Sequence, residues 1–171
     1  MRTRFLITIF VVILLGGCKK SSGPVNFSCY IAGTYLNSNT PTLVNGNASA
    51  AYYNSVYPPY LQLTMTGIGN QTVAISWYNI DSVGAIVSQL TPKTYTIPAH
   101  TNYPPTVSAV YNAQYGTATY LNGNGAGGTV TITSNTGTTL SGNYSFSVLN
   151  QTIPFDTVYV TQGTFTNVPI P

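Results

Sequence analysis

Charged side chains are almost missing from this sequence. Glu does not occur, Asp occurs only at 81 and 156, and Lys and Arg together number five. Histidine and tryptophan occur once each, as His100 and Trp77, and cysteine twice, as Cys18 and Cys29. Each shortage removes a class of chemistry. General acid–base catalysis needs titratable groups in pairs or beside an orienting partner. Glycoside hydrolysis uses two facing carboxylates, which would oblige both aspartates of the chain to meet. A Ser-His-Asp triad would have to recruit His100, which lies in IPAHTNYPP, a proline-bounded stretch suited to an exposed loop. Zinc takes three or four protein ligands and strong calcium sites collect several carboxylates. Neither set can be assembled here, so no metal or cofactor is expected and the chain reads as non-catalytic.

The few charges are also unevenly placed. Arg2, Arg4, Lys19 and Lys20 crowd the first twenty residues, and beyond them one lysine, Lys93, faces two aspartates. The formal net charge of +3 is therefore a property of the N-terminus. The remaining chain has no basic surface to attract phosphate, and nucleic acid is not an expected partner. Past Cys18 only Cys29 remains, so no disulfide can form within that part. In FSCYI, Cys29 alternates in step with Phe27 and Ile31, which predicts an inward-facing thiol that packs as a small hydrophobe rather than a nucleophile.

The one long hydrophobic run lies at the start, in MRTRFLITIFVVILLGGCKK. From Phe5 to Leu15 it covers eleven residues, short of the roughly 20 that a membrane-spanning helix needs. A basic start, an apolar stretch and small residues before a cut are the layout of a secretory signal. Leu15-Gly16-Gly17-Cys18 resembles the lipobox of bacterial lipoproteins. That resemblance implies removal of residues 1–17, lipidation of Cys18 and attachment to a membrane through several acyl chains, each buried methylene contributing about 0.8 kcal/mol. Residues 18–25 then form a short polar tether, and residues 26–171 a single domain large enough to hold its own core.

Within that domain the dominant period is two, the period of half-buried strands. YLQLTMTG sets Leu61, Leu63 and Met65 on one face, and TVAISWY sets Val73, Ile75 and Trp77. Further strands are read at KTYTIP, GTATYL, GTVTIT, GNYSFSV and DTVYVTQGTF. Helical spacing is absent and Gly, Asn and Pro turns separate the runs. An all-β, antiparallel β-sandwich of about eight to ten strands is expected, with a closed barrel of lipocalin type as the alternative.

Gly123, Gly125 and Gly128 in NGNGAGG match the spacing G-x-G-x-x-G of a dinucleotide-binding loop. That loop requires a following helix and an acidic residue about 20 positions on. Here a strand-like TVTIT follows and no acid appears before Asp156, so residues 122–128 read as a hairpin loop whose glycines supply positive φ.

GTVTIT at 128–133, SGNYSF at 141–146 and VTQGTF at 160–165 resemble a recurring pattern in uncharacterised Bacteroidota lipoproteins, whose shared domain has no assigned function. Tyr144 stands where the pattern more often has Phe. The resemblance implies an all-β fold and a lipid anchor in the outer membrane, with no catalytic residue to carry over. Lys19 and Lys20 follow Cys18 where surface-export signals tend to be acidic, so the surface-facing and periplasm-facing sides both stay open. Asp81-Ser82-Val83 and Asp156-Thr157-Val158 resemble the O-glycosylation sequon of exported proteins in that phylum, which makes Ser82 and Thr157 candidate acceptors.

The remaining candidates for recognition are tyrosines, fourteen in all. VYPPYL places Tyr57 and Tyr60 around two prolines, and TNYPPTV places Tyr103 before two more. Flat rings on stiff loops bind with little loss of entropy. The functional expectation is a lipid-anchored binding or adhesion module for a glycan or an envelope protein. The alternative is a structural or accessory subunit of an outer-membrane complex.

Overall fold

The computed structural model describes residues 25–33, 38–99, 106–113, 118–123, 125–150 and 156–171. Cys18, His100 and Tyr103 lie outside the described residues. Among the described residues ten strands form: β1 (Phe27–Gly33), β2 (Ser38–Tyr53), β3 (Tyr60–Gly67), β4 (Thr72–Tyr78), β5 (Lys93–Ile97), β6 (Val107–Asn112), β7 (Thr119–Leu121), β8 (Gly128–Asn135), β9 (Thr139–Asn150) and β10 (Thr157–Pro169). A 3-10 turn (Val83–Ala85) and one helical turn, α1 (Ile86–Gln89), lie between β4 and β5.

Every pairing is antiparallel, in the order β10-β1-β2-β3-β4-β6-β7-β9-β8-β5, and β10 also pairs with β9. The sheet thus folds over on itself. Three-residue β7 carries the link on one side, meeting β9 through only two residue pairs. The strands β8 and β5 continue beyond it as a separate flap. The result is an all-β sandwich rather than the regular closed barrel kept as the alternative.

Alternation along the strands builds the core, because successive side chains point to opposite faces. Phe27, Cys29 and Ile31 from β1, Leu61, Leu63 and Met65 from β3, and Val73, Ile75 and Trp77 from β4 are all buried. From the other side come Val130, Ile132, Tyr144, Phe146, Val148, Val158, Val160 and Phe165. Full burial of each such side chain contributes about 1.5–3 kcal/mol, which is what holds a chain with so few charges.

The junction of β9 and β10 explains the glycines of SGNYSF and VTQGTF. Gly163 lies directly opposite Tyr144, and Gly142 directly opposite Phe165. Each ring lies over the glycine across from it, and the two rings stack on one another with centroids 6.3 Å apart. A bulge precedes Gly163, with Gln162 at φ 51°. In this chain Gly142 and Gly163 therefore serve packing.

NGNGAGG is not a hairpin loop. β7 and β8 do not pair with each other; both run along the same edge of β9, meeting Leu149 and Asn150 first and then Phe146 onward. The chain leaves that ladder after Leu121, makes a tight turn bridged between Gly123 and Ala126, and rejoins it. Gly123 (φ 133°) and Gly125 (φ 95°) supply the positive φ that the turn demands. The detour lets the free edge change partner, from β6 before it to β5 after it. Asn122 fastens the junction: its Oδ1 accepts from Ala109 N at 3.0 Å and its Nδ2 donates to the Pro98 carbonyl at 3.0 Å. A period-two reading sees two strands with a gap and assumes that they face each other.

Candidate functional site

The outer face of β2, β3, β4 and β6 carries a row of aromatics. Tyr53 pairs with Tyr60, and Tyr60 with Tyr78, so three phenols stand side by side on adjacent strands. Tyr53 and Tyr60 stack at 4.7 Å with a 16° interplanar angle, and Tyr60 meets Tyr78 at 5.2 Å and 39°. Partial burial raises the Tyr60 phenol above its ordinary pKa, and repulsion from the Tyr53 and Tyr78 phenols adds to the rise. It therefore stays a neutral donor and acceptor well past neutral pH.

One register step further lies a polar floor. Gln62 Nε2 donates to Ser76 Oγ at 3.1 Å, and the Tyr78 and Ser108 hydroxyls lie 3.3 Å apart. Ser76 is small and buried, so the face dips there. Tyr57 stands over the dip from the β2–β3 connection, 90% exposed, beside the buried Pro58. Val56, Tyr57, Pro58, Tyr60 and Val110 complete the lining of an open groove of about 280 Å³. Among the described residues, no charged side chain lines it.

Behind Tyr78 a second pocket of about 190 Å³ opens between the layers, lined by Trp77, Tyr78, Asn79, Ile80, Gln89, Leu90, Tyr95 and Thr106. The Trp77 indole Nε1 is buried without a hydrogen-bond partner, a state that costs about 1–3 kcal/mol. Two polar neighbours, Gln89 and Tyr95, are hydrogen-bonded within the domain. Gln89 donates to Asp81 Oδ2 at 2.7 Å and accepts from Asp81 N at 3.1 Å, and the Tyr95 hydroxyl donates to the Thr91 carbonyl at 2.9 Å.

Of the aromatics expected from the sequence, Tyr57 and Tyr60 come together in the groove. Tyr53 and Tyr78 were missed, because cross-strand register is not legible in one sequence; the doublets Tyr52-Tyr53 and Trp77-Tyr78 at strand ends were the available signal. Asp81 is exposed and held by Gln89, whereas Asp156 is buried and accepts from Tyr120 Oη at 2.6 Å. Ser82 lies in an exposed tripeptide and caps the turn that precedes α1, its Oγ accepting from Ala85 N at 3.2 Å. Thr157 is half-buried at the start of β10 between buried Asp156 and Val158.

Cys29 is fully buried. Desolvation pushes its thiol up to about 11, and the nearby Tyr144 phenol offsets only part of that rise. A thiol reagent at neutral pH is expected to leave Cys29 unlabelled in the folded Cys18→Ser chain, and to label it once in denaturant. Mass spectrometry reads both states, and rapid native labelling would contradict the packing.

No family model matches this sequence, and no curated protein or solved structure matches it either.

Proposed function

We propose that this domain is a non-catalytic binding module whose groove takes a neutral glycan, and that it is held at the outer membrane of a Bacteroidota bacterium by a lipid on Cys18. The groove carries the reading. It combines one freely exposed ring, Tyr57, with a floor of uncharged hydroxyl and amide groups at Gln62, Ser76, Tyr78 and Ser108. Such a lining matches a ligand that is polyhydroxylated, flat on one face and uncharged. Charged ligands would find no counter-ion among these residues.

Tyr57→Ala and Tyr60→Ala are each expected to weaken glycan binding about 10-fold, the effect of losing an aromatic anchor worth roughly 1.4 kcal/mol. Calorimetry against a panel of neutral and acidic polysaccharides tests this. Because no carboxylate or imidazole is among the described residues that line the groove and Tyr60 titrates above its ordinary range, affinity should be flat between about pH 5 and pH 9. Binding restricted to acidic polysaccharides, or a midpoint near neutral pH, would rule the reading out.

The alternative, an accessory subunit of an envelope complex, has its own support. Tyr30 lies opposite Leu43, and Tyr159 opposite Ala32, on the outer face of β10, β1 and β2. Leu43 and Tyr159 are more than half exposed, and such a patch suits a protein contact. Crosslinking from this face in native membranes distinguishes the two, since a stoichiometric partner seated on Leu43 and Tyr159 would favour the subunit.

We propose Ser82, rather than Thr157, as the glycosylated residue, because all three residues of its sequon are exposed. Intact mass of the natively expressed protein should show the mature chain from Cys18 with its lipid and one glycan. Ser82→Ala should remove the glycan mass and Thr157→Ala should not.

A further inference from the structure

Among the described residues, the exposed large apolar side chains fall into two groups. Tyr53, Val56 and Tyr57 belong to the groove end of the domain, and Val83 stands alone. The others, Val25, Tyr30, Leu43, Ile68 and Tyr159, gather around β1 and the first half of β2. Tyr159 lies opposite Ala32 and so diagonal to Tyr30, and Tyr30 lies opposite Leu43. Leu43 and Ile68 line one pocket of about 250 Å³, with Ile68 78% exposed in the turn between β3 and β4. Four side chains thus form a continuous line across three strands and a turn.

The chain enters at the same place. The Gly46 carbonyl accepts from Asn26 N at 3.1 Å, and the carbonyl of the preceding residue, Asn45, accepts from Ile68 N at 3.1 Å. The entry of the chain and the Ile68 turn therefore flank β2 at one level, roughly 10 Å apart across two strand spacings. Seven residues lead from Cys18 to Val25. A lipid at Cys18 would keep this line of side chains beside the bilayer at high local concentration.

The chemistry of the line suits that neighbour. Leu43 and Ile68 are aliphatic, and the two tyrosines join an apolar ring to a polar tip, the combination that settles where acyl chains meet headgroups. β1, β2, β10 and the β3–β4 turn contain no charged side chain. No ion has to be desolvated there and no carboxylate repels an anionic headgroup, while Lys19 and Lys20, next to the lipid, attract one. A stable protein interface takes about 20–30 residues a side, far more than this line supplies. A bilayer contact borrows its residence time from the acyl anchor.

We infer that this face rests on the bilayer that holds the lipid, with Ile68 and Leu43 dipping into the boundary of headgroups and acyl chains and Tyr30 and Tyr159 at headgroup level. The inference rests on lipidation of Cys18 and fixes which end of β2 meets the membrane. Tyr53, at the groove, stands ten residues from Leu43 along that strand, roughly 33 Å away.

The test uses the natively lipidated protein in vesicles of phosphatidylethanolamine with a minor share of phosphatidylglycerol, doped with a lipid that carries a photoreactive diazirine high on its acyl chain. Mass mapping after irradiation is expected to find lipid adducts concentrated at Ile68 and Leu43, and none at Tyr57 or Val83. Replacing both exposed residues, Ile68→Ser with Leu43→Ser, should cut labelling of this face at least about 10-fold and leave the Cys18 lipid and the melting temperature unchanged. Adducts spread evenly over Tyr57 and Val83 as well, or missing from Ile68 and Leu43, in a chain whose mass shows the lipid, would overturn the contact and leave the anchor standing. A bare mass at Cys18 would remove the anchor and the contact with it. Crosslinks in native membranes from Ile68 and Leu43 to one protein at equal stoichiometry would also overturn the contact and give the face to the subunit reading.

Discussion

Gly142→Ala is expected to destabilise the domain by about 3 kcal/mol, the upper end of what overpacking a tight core costs, and to lower the melting temperature by roughly 6–12 °C. An added Cβ would collide with the Thr131 carbonyl of the neighbouring strand and with the Phe165 ring. Backbone cannot retreat there without breaking the ladder between β8 and β9. The partner glycine behaves differently, because the atoms nearest an added Cβ at Gly163 all belong to the Tyr144 ring. Gly163→Ala should therefore be relieved by Tyr144→Leu, whereas Gly142→Ala should not be relieved by Phe165→Leu. Thermal melts of the two double variants against their single parents measure the difference. Equal relief in both cases would mean that Thr131 is not the obstacle.

Asn122→Ala is expected to have an effect of similar size. It leaves the buried Ala109 N and the half-buried Pro98 carbonyl without their partner, and an unpaired buried group costs about 1–3 kcal/mol. A loss of about 3 kcal/mol by denaturant unfolding is the expected result, with the slope of the transition unchanged. Asn122→Asp keeps an acceptor for Ala109 N but sets a carboxylate beside the Pro98 oxygen. Its penalty should be largest at neutral pH and shrink as the pH falls and the carboxyl regains a proton to donate. A penalty that does not depend on pH would mean that Pro98 is not the second partner.

These variants mark where sequence reading succeeds and where it stops. Strict alternation made Leu61, Leu63, Met65, Val73, Ile75 and Trp77 legible as core, because apolar side chains of useful size fell on one parity. It also put Cys29 inward. β2 escaped it: SNTPTLVNGNASAAYY places Val44, Gly46 and Ala48 inward, side chains too small to stand out from their neighbours. That strand is held by its two ladders, to β1 and to β3, rather than by side-chain payload. β6 escaped for a related reason, since Val110 faces outward beside inward Val107, Ala109 and Tyr111 and blurs the period. The site was half legible. Pro58 and Pro59 pointed to Tyr57 and Tyr60, but the phenols that complete the row arrive through register, which depends on which strands meet. NGNGAGG shows the same limit, for its positive φ values were legible and its partners were not.

The two ends of β3 also face different surroundings. At one end Gly67 pairs with Gly46, which pairs with Phe27, and Asn26 beside it accepts from Thr166 N at 2.9 Å. The chain comes in there. At the other end stands Tyr60, seven residues away along the strand, a rise of roughly 23 Å. With Cys18 fixed in lipid, as proposed above, the strand becomes a post. Seven residues from Cys18 to Val25 can add at most about 25 Å. The groove can then stand clear of the headgroups by the length of the domain itself, turned toward whatever polymer fills the space beyond.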